Sequence, residues 1–551
     1  MFGRNRMSRR SFLRTGAMVT AGAAATTAGL GGLSPRAASA STVWTPVNEE
    51  LVEMTIAQMQ AAMESGSMTS RQLTGKYLER IATLDDRGPM LNSVLYLDAN
   101  AALHAAEALD NERAAGTVRG PLHGIPILLK DNIDAMGMPT TAGSIALVPN
   151  YRSQDAGVTE RLRAAGAVIM GKTNLSEWAN FRGFQSSSGW SGLGRQTKNP
   201  YFLSHNPCGS SSGSGVAPSA NLAAAAIGTE TDGSIVCPST SNGIVGIKPT
   251  VGLTSRWGVI PISHTQDTIG PMARTVADAA AVLGGMTGID PRDPATADSE
   301  GNSYTDYWQF LDAGALDGAR IGVPRTGGYW GYSPEADAIC NAAIERMREM
   351  GAEIVDPANI PTAEEIATSP AEFTVLLYEF EPDLNAYLET CPDGVPHSLA
   401  ELIAFNEAHA DVEMPYFGQE IFYLAAGLGG LNDPTYLEAL ETSRRLSRTE
   451  GIDAVMDELG LDALVAPTGS PPWPTDLING DHFLGASSSP AAMAGYPLVS
   501  VPAGYTYGLP VNLTFMGRAW SEPTLIALAY AFEQGTMARQ TPRMEPILVL
   551  P

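Results

Sequence analysis

Residues 208–238, CGSSSGSGVAPSANLAAAAIGTETDGSIVCP, limit what this chain can fold into more than any other segment. They hold two dense Ser/Gly knots with an alanine-rich run between them. Glycine tolerates the positive φ of sharp turns, so each knot predicts backbone that doubles back and presents serine hydroxyls at the bend. Between the knots, residues 214–227 predict a rigid helical spacer, with Pro218 confining it to a late start or a kinked first turn. A flexible linker is the other reading of a Gly/Ser-rich stretch. The residues just beyond it argue against a linker: IVGIKPTVGL, residues 244–253, is apolar and strand-like, so the second knot opens into core.

Around this segment strand and helix patterns alternate. Two helices between Asn48 and Ala82, the second opened by Thr69-Ser70-Arg71-Gln72, precede a strand at 93–97, a helix at 99–113 and a strand at 124–129 that ends on Lys130-Asp131. A helix at 156–165 and a strand at 168–170 follow, then a long Gly/Ser-rich loop, 180–207. Beyond the second knot come a helix at 275–283, a strand at 319–323, a helix at 334–350, and strands at 353–355, 464–466 and 511–515. This rhythm predicts an α/β class: one large domain with a mixed, mostly parallel, twisted sheet covered by helices on both faces. Residues 362–459 turn mainly helical and carry aromatic patches at 376–380 and 414–417, either an insertion over the substrate side of the sheet or ordinary core.

The first 40 residues carry Arg4, Arg6, Arg9, Arg10 and Arg14, an uncharged run to Pro35, and Ala38-Ser39-Ala40. Those are the regions of an export signal, and Arg9-Arg10-Ser11-Phe12-Leu13 is similar to the twin-arginine type. The expected mature protein is residues 41–551, cleaved near Ala40 and periplasmic or secreted; the run is too weakly apolar to hold a membrane afterwards. Loss of six arginines takes the net charge from −25 to −31, which repels phosphate backbones and excludes nucleic acid as the main partner. Four cysteines make no disulfide framework in a chain of 551 residues, and whether any of them pair is left open. With no CxxC or HExxH, neither a metal nor another cofactor is expected, and the chain is expected to act as a monomer on a small-molecule or peptide substrate.

For chemistry, Gly209-Ser210-Ser211-Ser212-Gly213 fits the G-x-S-x-G elbow of serine hydrolases, with Ser211 central and His264, His397, His409 and His482 downstream. Any Ser/Gly-rich loop fits it by chance, and Asn206-Pro207-Cys208 is a poor strand to lead into an elbow. Three separated segments are more specific: GIPILLKDNIDAMGMPTTAGS (124–144), NPCGSSSGSG (206–215) and GTETDGSIVCPSTSNGIVGIKPT (228–250). In that order they resemble the amidase signature family, and within it the bacterial peptide amidases. The similarity runs from about Asn48 to the C-terminal GYPLVSVPAGY, GLPVNLTFMGR and AFEQGT segments.

The resemblance implies a hydrolase of carboxamide C–N bonds with a Ser-Ser-Lys triad. Ser234 carries over as nucleophile, Ser210 as the bridging serine after a cis peptide bond, and Lys130 as base, with Ser211 as a supporting hydroxyl. The backbone N–H groups of Thr231, Asp232, Gly233 and Ser234 would form the oxyanion hole. The implied substrate is the C-terminal amide of peptides, released as ammonia; aryl or aliphatic amides are the alternative. The family's tRNA-dependent amidotransferase subunit is disfavoured by the acidic charge and the export signal. Physically, a lysine base must be desolvated, because its ordinary pKa near 10.4 leaves it protonated at neutral pH. Two departures stand out against the commoner GTDTGGSIR pattern: Asp232 replaces a glycine, and Val236 replaces an arginine that would pair with the acid at Glu230.

Overall fold

The computed structural model describes residues 47–550; the arginine-rich segment and its cleavage position lie outside the described residues. Eleven strands form one sheet: β1 (Val94–Leu97), β2 (Pro126–Lys130), β3 (Val168–Thr173), β4 (Ala225–Glu230), β5 (Val245–Lys248), β6 (Thr268–Ala273), β7 (Arg320–Gly322), β8 (Glu353–Val355), β9 (Ala463–Pro467), β10 (Leu498–Thr506) and β11 (Leu509–Met516). Their spatial order is β1-β3-β2-β4-β6-β5-β10-β11-β9-β7-β8. Strands β2, β3, β4, β6 and β11 are buried along their whole length, which is why they read as near-continuous apolar runs and not as alternating ones. Helices pack on both faces of the sheet. Among the described residues no helix is long and apolar enough to cross a membrane.

The sheet is mixed, as the alternation predicts, with a larger antiparallel share than expected. Pairing is parallel where β2 meets β3 and β4, and where β7 meets β8 and β9; the other six pairings are antiparallel. Two central strands supply the difference. β6, with Gly270 and Pro271 inside it, and β10, with an irregular register between Pro502 and Gly504, contain residues that ordinarily punctuate strands.

The helix expected over 214–227 is the clearest correction. The structure has a helix only over Ser212–Ser219; Asn221 then takes a left-handed φ of 57°, and Ala225–Glu230 becomes β4. A slot between β2 and β6 outweighs alanine's helix propensity, because extended backbone there is paired on both edges. The two knots are therefore joined by a helix and a returning strand, which bring them side by side.

Residues 363–459 form helices at Ala363–Thr368, Ala371–Leu388, Leu399–Ala408, Glu420–Ala425, Pro434–Arg444 and Asp453–Leu459. Most of their aromatics are core: Phe380 stacks on Phe422 at 5.4 Å and meets Phe181 at 5.1 Å. Leu376, one turn before Phe380, lines the candidate site.

Candidate active site

Lys130 is the last residue of β2, placed where the strand meets the two Ser/Gly turns, and it is fully buried. Its Nζ lies 2.7 Å from Ser210 Oγ, 2.8 Å from Thr229 Oγ1 and 3.3 Å from Thr229 O. Burial drives its pKa down to about 7, against the opposing charges of Asp267 and Glu230. A carbonyl can only accept, and Thr229 Oγ1 also receives an N–H from Asn132 at 3.0 Å. A neutral amine has two N–H bonds and one lone pair for these three contacts, so with its N–H bonds on the two Thr229 oxygens its lone pair faces the Ser210 hydroxyl.

Ser210 follows a cis peptide bond from Gly209 and is fully buried. Gly209 has to be glycine, since a Cβ there would stand 2.2 Å from Ser176 Oγ. Ser211 does not touch Lys130; its hydroxyl donates to Thr229 O at 3.0 Å and accepts from Thr229 N–H at 3.2 Å, fixing the residue that holds the lysine. Ser211 N–H donates to Ser234 O at 3.2 Å, so the two turns are stitched together at Ser234 and at the residue after Ser210. Ser234 is half-buried and faces a cavity of about 330 Å³. Ser234 thus stands at the cavity, while Ser210 and Lys130 are both fully buried behind it.

The second turn is built around Glu230 and Gly233. Gly233 sits at φ 77°, a region open to glycine, and the turn leads into a helix at Val236–Ser241. One carboxylate oxygen of Glu230 accepts N–H bonds from Ile235 at 2.7 Å and Val236 at 3.0 Å, and the buried Lys248 lies within charge range. These replace the ion pair that Val236 cannot make. The N–H groups of Thr231, Asp232, Gly233 and Ser234 have no hydrogen-bond partner among the described residues. Asp232 points to the cavity, its two oxygens accepting from Ser488 at 2.5 Å and Ser489 at 2.7 Å.

The cavity has an apolar wall of Phe181, Ile262, Leu376, Trp473 and Phe483. Three consecutive left-handed residues, Trp178, Ala179 and Asn180, bring the last two to its rim. Asp481 accepts from Ser188 N–H at 2.9 Å and Trp473 Nε1–H at 3.3 Å, which anchors the Trp473 side.

Sequence reasoning missed Thr229, Ser488, Ser489 and the disulfide between Cys208 and Cys237, which lies in the cavity wall with a Cα–Cα distance of 6.0 Å. One signal was available for the disulfide: the two cysteines bracket the stretch, Cys208 just before Ser210 and Cys237 just after Ser234. The bridge closes a loop across 29 residues, which restricts the unfolded ensemble by about 3.6 kcal/mol. Double replacement Cys208→Ser/Cys237→Ser is expected to lower unfolding stability by about that amount. Urea denaturation checks this, and an unchanged midpoint would show that the surrounding packing already fixes the turns.

No histidine hydrogen-bonds to Ser210, Ser211 or Ser234 among the described residues, so the elbow reading of Ser211 falls. His264 is engaged elsewhere: Nδ1 lies 2.9 Å from Asp383 and Nε2 3.5 Å from Glu379. Burial disfavours its charge, yet these carboxylates hold its pKa above the usual value. Each ring nitrogen faces a different carboxylate, and Glu379 is already occupied by Ser263, Thr265 and Tyr436.

The amidase family model matches residues 72–526. A peptide amidase from Stenotrophomonas maltophilia is 52% identical in sequence with a TM-score of 0.85, over 90% of this chain and 99% of that one. A peptide amidase in complex with the competitive inhibitor chymostatin is 53% identical with a TM-score of 0.85, over 89% of this chain and 99% of that one. A probable amidase of Arabidopsis thaliana is 42% identical over 92% of this chain and 94% of its own length. The fold, its buried lysine and its paired serine turns thus belong to a hydrolase acting on amides, and the chain is a member of the amidase signature family.

Proposed function

We propose that this enzyme removes ammonia from the C-terminal carboxamide of peptides through a Ser234–Ser210–Lys130 relay and an acyl-enzyme. The observation that carries the reading is the 2.7 Å contact between the buried amine of Lys130 and Ser210, directly behind the cavity that Ser234 faces. Lys130 takes the Ser210 proton while Ser210 takes that of Ser234, whose oxygen attacks the carboxamide carbon. The free N–H groups of residues 231–234 receive the developing oxyanion. The relay then reverses and protonates the departing nitrogen, which an amide needs because its anion leaves poorly. Water, deprotonated by the same relay, releases the peptide acid.

The apolar wall of Phe181, Leu376, Trp473 and Phe483 supports a peptide side chain next to the scissile amide, and likeness to two solved peptide amidase structures supports the substrate class. Ammonia release from a dipeptide amide, an acyl anilide and a simple aliphatic amide separates this from a general amidase: the peptide amide is expected to have a kcat/KM at least 100-fold higher. Equal values would replace the reading with broad aryl or aliphatic amide hydrolysis. The twin-arginine-type start and the Cys208–Cys237 disulfide support action outside the cytoplasm. N-terminal sequencing of exported protein is expected to begin near Ser41.

A further inference from the structure

We propose that Asp232 is a specificity-determining residue whose carboxylate repels the carboxylate product, so that the site holds an amide and ejects the acid made from it. The inference rests on the peptide-amide reading above and extends it to product release.

The problem is set by the chemistry. Hydrolysis turns a neutral carboxamide into a carboxylate in place, since a peptide α-carboxyl with a pKa near 3.5 is ionised at neutral pH. An oxyanion hole of unpartnered N–H groups would retain that product, because such donors bind a full negative charge better than a carbonyl. Something must oppose the product without opposing the substrate.

Asp232 is placed to do this. It lines the same cavity as Ser234 and Gly233, two residues before the nucleophile. Ser488 Oγ, which donates to one Asp232 oxygen, would lie 3.3 Å from a Cβ placed on Gly233, so the carboxylate stands against the backbone of the oxyanion turn. Each of its oxygens accepts one serine hydroxyl, an arrangement suited to the ionised form and one that leaves lone pairs toward the cavity. Burial, with the neighbouring Glu372 and Glu230, holds its pKa above the usual carboxylate value, against the two serine hydrogen bonds and the buried Lys248, which favour the charge. Lys248 cannot neutralise the product as well, because its amine is turned to Tyr496 O at 2.7 Å and shared between Glu230 and Glu522. A carboxamide presents N–H donors that Asp232 accepts; a carboxylate presents only lone pairs.

The test compares binding in proteins that cannot turn over. In a Ser234→Ala background, dissociation constants of a dipeptide acid and of its amide are measured by calorimetry with and without Asp232→Asn, which keeps the shape and can still hydrogen-bond both serines. The expected result is that Asp232→Asn tightens the acid at least tenfold relative to the amide, equivalent to about 1.4 kcal/mol. An unchanged acid-to-amide ratio overturns the proposal. A second measurement needs no change at Asp232: as inhibitors of the unmodified enzyme, the dipeptide acid is expected to be at least tenfold weaker than the matching dipeptide primary alcohol, which has no charge. Equal inhibition overturns the proposal as well. Absence of ammonia release from every peptide amide would sink the hydrolytic reading on its own, since neither binding ratio depends on turnover.

Discussion

Replacing Ser234 by alanine is expected to lower kcat for ammonia release by about 10⁵-fold or more, the scale on which loss of an activated serine nucleophile acts. The stretch that carries it is crowded with hydroxyls, and their hydrogen bonds separate the structural ones from the chemical ones. Ser212 donates to Cys208 O at 2.6 Å, Ser214 to Ile227 O at 2.9 Å, Ser219 to Asn242 O at 2.6 Å and Ser239 to Ile235 O at 2.7 Å. Ser211 is held by both backbone groups of Thr229. Each of these fastens a turn or a helix end. Ser210 meets only the lysine, and Ser234 alone faces the cavity with no acceptor among the described residues. Ser210→Ala is accordingly expected to cost less, about 10³-fold, because a water can occupy the gap between Lys130 and the nucleophile. Labelling with a fluorophosphonate gives an independent readout: the protein mass should rise in the unmodified enzyme and in Ser210→Ala, more slowly in the latter, and not in Ser234→Ala. More than about one per cent of the original activity in Ser234→Ala would mean that another hydroxyl attacks.

The sequence carried the peripheral strands and helices well because each is a single periodic run with its own caps, such as the helix Ser70–Arg80 opened by the reciprocal Thr69–Gln72 pair. The centre of the sheet was less legible. Residues 225–230 sit in an alanine-rich run whose local preference is helical, and 268–273 and 498–506 contain proline and glycine; all three are strands because neighbours on both sides pair with them. That information is non-local and leaves little trace in a window of ten residues. The site shows the same division. Lys130 stood out as a lysine ending an apolar strand, and the Ser/Gly turns by composition, but Thr229 looks like any strand threonine until Lys130 is set against it. Ser488 and Ser489 lie some 250 residues from Asp232 and had no local mark at all.

Glu230 shows how a local departure is absorbed. A buried acid that has lost its arginine should destabilise the turn, since an uncompensated buried charge is costly. Here the acid is turned inward onto two consecutive N–H groups at the start of the helix Val236–Ser241, and its second oxygen is left without a hydrogen bond. Val236 is buried in the apolar cluster that also holds Leu498 and Met516. Backbone hydrogen bonds to Glu230 thus hold the turn that carries Ser234 without an arginine partner.

Lys130→Met is expected to separate activity from stability. Without a base the relay stops, and kcat/KM should fall by about 10³- to 10⁴-fold, the range attributed to positioned general bases. Stability should move the other way. Holding an amine whose pKa drops from 10.5 to about 7 costs roughly 4–5 kcal/mol of preference for its charged form. Its three hydrogen bonds return about 1 kcal/mol each, so an apolar chain of similar length is expected to stabilise the protein by about 1–2 kcal/mol at pH 7. The sign follows from proton binding. The folded pKa is depressed, so between about pH 7 and pH 10.5 the unfolded state binds the extra proton, and stability rises with pH in that window. The variant should lose this slope, and its advantage over the unmodified protein should shrink toward pH 10. Activity gives the matching signature: kcat/KM of the unmodified enzyme should climb through about pH 7 as Lys130 sheds its proton into bulk solvent before substrate binds. A lysine that merely fills the core would predict a destabilised Lys130→Met protein and a flat profile through that range.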